Sequence, residues 1–311
     1  MIKTANKGSV LILVLWIVMM LGVIAGFYGV DSRIRRISGR AELNDIQARL
    51  IVRSVLLYVN LKLSETKKYL NENQVDNLEI SDNLLLPNGT VNILNISDRN
   101  VEFKLEDERG KLDINNSQEE NLREVIRQFY MLKGDREGQK QADIVVDSIL
   151  DWRDSDDNPR DNGAESEYYS SLEIPYSSPN RPFKTLEELM LVRGVTREAF
   201  LGSSLNNSSS ETSFISAGLK DILTIYNYQG RVVSSVAPAV LAEIIENSEI
   251  NNKEPELTGQ NRLNILKNFD VLKLSVFLDS REYQVIFRYS EPVSNIKILR
   301  WIESPPQGIL Q

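Results

Sequence analysis

Between Lys7 and Asp31 the chain carries no charged residue, and the apolar run Val10 to Val30 fills most of that interval. Roughly twenty residues at 1.5 Å rise make a helix about 30 Å long, the thickness of a bilayer's hydrocarbon core. The run therefore predicts one membrane-spanning helix over 10–30. A cleaved secretory signal is the competing reading, but its apolar region is usually about 7 to 15 residues long and ends at a small-residue site, and no Ala-x-Ala follows here. The flanking charges leave the orientation open, because Arg33, Arg35, Arg36 and Arg40 follow the span while Lys3 and Lys7 precede it.

No Pro or Gly occurs between Gly39 and Pro87, and Ile34, Ile37, Ala41, Ala48, Ile51, Val52, Val55 and Val59 recur at helical spacing. The helix is thus expected to continue past the membrane, over 9–63, with the arginines near Ile34 as a solvated collar. Short β-like runs follow at Val91–Ile96, Val101–Leu105 and Lys111–Asn115. The period then changes. Leu122, Val125, Ile126 and Phe129 give one amphipathic helix, and Ala142, Val145, Val146, Ile149 and Leu150 give a second. A capping box, Thr185-Leu-Glu-Glu188, announces a third that ends near Gly194. Leu201 to Thr212 reads as a Ser/Asn-rich linker. Strands return at Ile222–Tyr226, in a hairpin from Val271–Leu278 to Tyr283–Tyr289, and at Ile296–Ile302, with one helix after Pro238. This order predicts an α+β fold interrupted by a helical insertion.

Zero His and zero Cys exclude imidazole and thiolate catalysis, zinc on such ligands, iron-sulfur clusters and disulfides. Any metal must sit on oxygen. With 36 Lys+Arg against 44 Asp+Glu the net charge is −8, which disfavours a dedicated nucleic-acid surface. Much of that charge lies between Asp147 and Glu167, where Asp147, Asp151, Asp154, Asp156, Asp157, Asp161, Glu165 and Glu167 face only Arg153 and Arg160. A divalent cation would offset their repulsion, and calcium accepts six to eight oxygens in a flexible shell. Asp154, Asp156 and Asn158 fall at positions one, three and five of a twelve-residue loop that ends at Glu165, the EF-hand count, although Pro159 stands where that loop needs Gly. Two other readings stay open: a solvated acidic loop, and Asp154 with Glu165 as an acid-base pair of the glycoside-hydrolase kind, for which no aromatic sugar cleft is evident.

The basic stretch Lys3 to Lys7, closed by Gly8 and followed at once by the apolar run, resembles a type IV prepilin leader. The resemblance implies cleavage after Gly8 and methylation of Ser9; the Glu usual at the fifth mature position is replaced by Leu13. A longer string is more specific. Ile149-Leu-Asp-Trp-Arg-Asp154 through Glu165, then Tyr168-Tyr169, Pro179-Asn-Arg-Pro182-Phe183 and Glu188 to Thr196, together with Arg109-Gly-Lys-Leu-Asp-Ile-Asn115, resembles the K-type minor pseudopilins of type II secretion. That likeness implies an α+β fold: a long N-terminal transmembrane helix with a pilin-like antiparallel sheet and a large all-helical insertion. Its segments would be the leader 1–8, the helix 9–63, the first pilin-like part 64–116, the insertion 117–207 and the second pilin-like part 208–311.

The family further implies calcium on Asp154, Asp156, Asp157 and Glu165, with Ser166 replacing an acid often found there. Partners would be the I- and J-type minor pseudopilins, the major pseudopilin, the prepilin peptidase and the bacterial inner membrane, with a cytoplasmic N-terminus and a periplasmic bulk. No enzymatic activity is expected. The implied role is a tip subunit that helps initiate pseudopilus assembly and export of folded proteins across the outer membrane. The alternative is a minor pilin of a type IV pilus or competence system, because Leu186 to Thr196 looks like a DNA-binding helix-hairpin-helix. The acidic surroundings favour a protein partner and no nucleic acid.

Overall fold

A computed structural model describes residues 7–72, 84–134, 138–202, 217–248, 269–279, 281–290 and 296–304. The chain falls into two units, residues 1–54 and 55–311. The first holds most of helix α1 (Lys7–Glu72), whose side chains from Leu11 to Val30 are all exposed and include Trp16, Phe27 and Tyr28. Among the described residues this is the helix long and apolar enough to cross a membrane. It runs on beyond residue 63, because no helix breaker intervenes and Thr66 and Leu70 keep the buried stripe of Val55, Val59 and Leu63 going. Residues 1–6 of the expected leader lie outside the described residues.

In the second unit the strands are β1 (Asn88–Ile96), β2 (Arg99–Asp107) and the two-residue β3 (Leu112–Asp113). Helices follow: α2 (Glu119–Leu132), α3 (Gly138–Arg153), α4 (Ser166–Ser170), α5 (Arg197–Leu201) and α6 (Leu219–Ile222). The chain then forms β4 (Leu223–Thr224), α7 (Ala239–Glu246), β5 (Val271–Leu278), β6 (Arg281–Arg288) and β7 (Lys297–Glu303). Five strands make one antiparallel sheet in the order β1-β2-β5-β6-β7. Ser97 and Asp98 both take positive φ between β1 and β2, the geometry of a tight turn that follows the strands' own twist.

Alternation decides which face of the sheet is dry. Phe103 pairs with Val276 and Leu105 with Leu274, which in turn face Tyr283 and Val285, and all six are buried. Tyr58 of α1 meets Phe103 edge-on at 6.2 Å, so the part of α1 after Ser54 covers this face. The runs expected as sheet at Lys111–Asn115 and Ile222–Tyr226 contribute only the parallel pair β3/β4, outside the main sheet. Their neighbours Ile114 and Ile222 are spent on the helical core instead.

That core gathers Leu122, Ile126, Phe129, Val146, Ile149 and Phe200, and it extends through Leu219, Val240, Leu241 and Ile244. The helical layer therefore includes α6 and α7, residues that the sequence reading placed in the second pilin-like part. The helix expected after Thr185 is a 3-10 helix, Leu186–Leu191, and its capping box is formed: Glu188 Oε1 accepts from Thr185 N at 3.1 Å. Most of the expected 201–212 linker lies outside the described residues.

Candidate functional site

The acidic segment starts in the last turns of α3, which ends at Arg153, and continues into the loop beyond it, and its floor is aromatic. Trp152 stacks on Phe183 (6.2 Å, 20° between planes) and meets Tyr169 edge-on at 5.3 Å, while Tyr169 stacks on Tyr176 at 5.2 Å. Asn115 holds Phe183 by two reciprocal hydrogen bonds, Phe183 N to Oδ1 at 2.8 Å and Nδ2 to Phe183 O at 3.0 Å. These rings pin both ends of the loop, since Tyr169 lies one turn beyond Glu165.

Above the floor the carboxylates divide into two classes. Asp147 is engaged: Arg123 Nη2 donates to Oδ1 at 2.7 Å and Asn162 Nδ2 to Oδ2 at 3.0 Å. Burial pushes its pKa up, but these bonds outweigh that and hold it below the usual carboxylate range. Asp151 is fully buried, and Arg160 Nη1 bridges it to Asp154 with 2.7 Å contacts to Asp151 Oδ1 and Asp154 Oδ2. Burial raises the Asp151 pKa and the neighbouring Asp154 adds to it, against the Arg160 bonds. A Cβ on residue 163 would overlap the Asp151 carboxylate, which explains the glycine there.

The second class lacks partners. Glu165 is only 3% exposed, yet neither carboxylate oxygen accepts a hydrogen bond from the described residues, and the same holds for Asp154 Oδ1 and Asn180 Oδ1. Burial, reinforced by Asp151, Asp154, Asp157 and Asp156, pushes the Glu165 pKa up to about 7. Bare buried oxygens of this kind are costly unless a cation or proton meets them. Asp156 and Asp157 stand at the exposed rim. Asp156 Oδ1 accepts from Asn158 N at 2.9 Å, and Asp157 Oδ1 accepts from Ser166 Oγ at 3.1 Å and Asn180 Nδ2 at 3.0 Å.

The donor set fits calcium in kind: carboxylate and amide oxygens, with four of them buried and unengaged. As the side chains stand, no group of three or more carboxylates among the described residues closes around one point tightly enough to hold an ion. Arg160 supplies part of the counter-charge. Sequence spacing does not single out Asp151, Arg160 or Asn180; the one sequence signal is the Arg within the acidic run, and Asn180 is marked only in the structure, by its positive φ (46°).

The helix-hairpin-helix-like turn lies beside this loop. Arg193 Nη1 donates to Gly163 O at 2.8 Å, and its guanidinium covers the Tyr168 ring at 4.8 Å. Gly194 has φ 85° and faces α3, where a Cβ would come within 2.9 Å of Ile144, and its carbonyl accepts from Gln141 Nε2 at 2.6 Å. The turn is thus committed to packing. The full chain is expected to show no salt-sensitive affinity for duplex DNA at micromolar protein, which a fluorescence-anisotropy titration at two salt concentrations checks.

A family model described as type II secretion system (T2SS), protein K, matches residues 89–202, from β1 through the acidic loop to the end of α5. Type II secretion system protein K of Pectobacterium carotovorum subsp. carotovorum is 31% identical over 70 residues, 22% of this chain and 21% of that protein. The putative type II secretion system protein K of Escherichia coli (strain K12) is 38% identical over 59 residues, 19% and 18% of the two chains. The chain thus matches about a fifth of the length of these curated relatives. A chain in the crystal structure of the GspK-GspI-GspJ complex from the enterotoxigenic Escherichia coli type 2 secretion system shares the fold, with a TM-score of 0.52 at 12% identity over 86% of this chain and 99% of that one. Local sequence and fold agree: residues 89–202 match the protein K family of the type II secretion system, and the wider chain shares the fold of a chain from the GspK-GspI-GspJ complex.

Proposed function

We propose that the chain is a minor pseudopilin, a structural subunit without enzymatic activity at the tip of the type II secretion pseudopilus. In this reading it helps initiate pseudopilus assembly and the export of folded proteins. The observation that carries it is the combination of one exposed apolar helix with a pilin-like sheet and a helical layer, the protein K match running from β1 through α5. The fold neighbour is a chain of a GspK-GspI-GspJ complex, which supports I- and J-type partners for a K-type chain here. Residues 10–30 would cross the inner membrane with the N-terminus cytoplasmic, and the unit from residue 55 would lie in the periplasm. Calcium would sit at Glu165 and Asp154, with Asp156, Asp157 and Asn180 at its rim, supplying the positive charge that the unengaged oxygens lack.

Co-expression of the full chain with I- and J-type pseudopilins should give a three-way complex that survives detergent extraction and size exclusion. A folded chain that elutes alone would overturn the partner assignment. Processing gives a second check. Lys3, Lys7 and Gly8 directly before the apolar run suit cleavage after Gly8, so mass spectrometry of the mature protein should find methylated Ser9 at its N-terminus. An N-terminus near Phe27 would instead mean conventional signal cleavage.

A further inference from the structure

Just past the span, charge is sorted around α1. At 100° per residue Arg33, Arg36 and Arg40 fall within about 60° of arc, while Asp31, Glu42 and Asp45 project from the opposite side. The acids on that far side are matched in part: Asp31 pairs with Arg35 at 2.9 Å and Asp45 with Arg49 at 3.2 Å. Arg33, Arg36 and Arg40 are exposed and make no ion pair among the described residues. If Val30 marks the hydrocarbon edge, Arg33 begins about 5 Å beyond it and Arg40 about 15 Å beyond. The headgroup layer is about 5–8 Å deep on each side. Helical side chains tilt toward the N-terminus, which here is the bilayer, so the Arg33 and Arg36 guanidiniums lean back into that layer and that of Arg40 reaches its outer edge.

We propose that Arg33, Arg36 and Arg40 form a binding face for the phosphates of anionic phospholipids in the leaflet where α1 leaves the membrane. The inference rests on residues 10–30 spanning the bilayer and holds in either orientation. A planar guanidinium makes paired hydrogen bonds to phosphate oxygens, and a face clear of carboxylates lets three act together. Placing the acids on the far face keeps them from repelling the same headgroups. This role would fix the depth and rotation of α1 about its axis, which a uniform apolar span leaves unspecified.

The test uses the full chain reconstituted into phosphatidylcholine bilayers doped with spin-labelled phosphatidylglycerol or spin-labelled phosphatidylcholine. Electron paramagnetic resonance then reads the motionally restricted lipid of each kind. The wild type should prefer the anionic lipid by roughly five-fold or more, the effect of one basic residue near an anionic surface. The variant R33Q/R36Q/R40Q should restrict as much lipid in total with little preference, while R49Q, far along the helix, should keep the wild-type ratio. Equal restriction of both lipids by the wild type would refute the headgroup face while leaving the span intact, and would turn attention to an acidic protein partner. A preference that survives the triple substitution, or falls equally in R49Q, overturns the assignment to these residues. No restricted lipid of either kind would remove the span and the site together.

Discussion

In calcium at about a hundred times its Kd, the full chain in detergent should be about 2.7 kcal/mol more stable toward unfolding than in chelator, because a ligand confined to the folded state adds RT ln(1 + [L]/Kd). The gain should vanish in Asp154→Asn with Glu165→Gln, which removes the unengaged Glu165 carboxylate and the charge behind the free Asp154 Oδ1. The pH dependence separates a metal site from a solvated loop. Glu165 ionises near 7 in the folded chain against an ordinary 4.5. In chelator its contribution is therefore fully present below about pH 4.5 and is lost as pH rises through 7. Calcium displaces that proton, so the calcium-dependent gain should grow across the same interval. Glu165→Gln alone should flatten the chelator profile and leave the apo fold no weaker at pH 8. Identical melting in calcium and chelator at pH 8 would exclude the site, and a gain that survives the double substitution would move it to other oxygens.

How much of this could be read from the chain depends on the range of the interactions. The long helix was legible because nothing between Gly39 and Pro87 can break it, and the β5/β6 hairpin because Tyr283, Val285 and Phe287 alternate. The acidic loop was visible as charge density, and Asp154 and Glu165 as spacing. What stayed hidden is pairing at a distance. No local signal sets β5 beside β2, or lays α7 on the helical core with Leu122 and Ile126, since both depend on residues more than a hundred positions apart. The division of the carboxylates was equally hidden. Asp151 looked like any other acid of the loop until Arg160 and Gly163 were seen around it. Asp156, read from spacing, and Asp157, implied by the family resemblance, stand at the rim, while the buried demand falls on Glu165.

Lys111 makes the same point with a larger expected effect. In the sequence it is the first residue of a short β-like run; in the fold its side chain is 2% exposed, with Nζ 3.1 Å from Glu106 Oε2 and 2.8 Å from Glu108 Oε1. Lys273 reaches Glu106 Oε2 at 2.6 Å, and the Thr224 hydroxyl donates to Glu108 Oε2. Burial alone would neutralise these groups, but the opposite charges outweigh it and hold Glu106 well below, and Lys111 well above, their ordinary pKa values. The set joins β2 and β5 of the sheet to β4 of the helical layer. Lys111→Met should therefore cost about 3–5 kcal/mol at pH 7, because it leaves Glu108 charged, buried and held only by a hydroxyl. An exposed pair such as Arg35–Asp31, with side chains 80% and 53% exposed, should cost about 1 kcal/mol or less when broken. Adding Glu108→Gln to Lys111→Met should recover part of the loss by removing the stranded charge, a result that lost packing alone would not produce. Urea unfolding of the wild type and the three variants measures it. A Lys111→Met cost no larger than that of Arg35→Gln would show that water reaches the network and that it does not lock the helical layer onto the sheet.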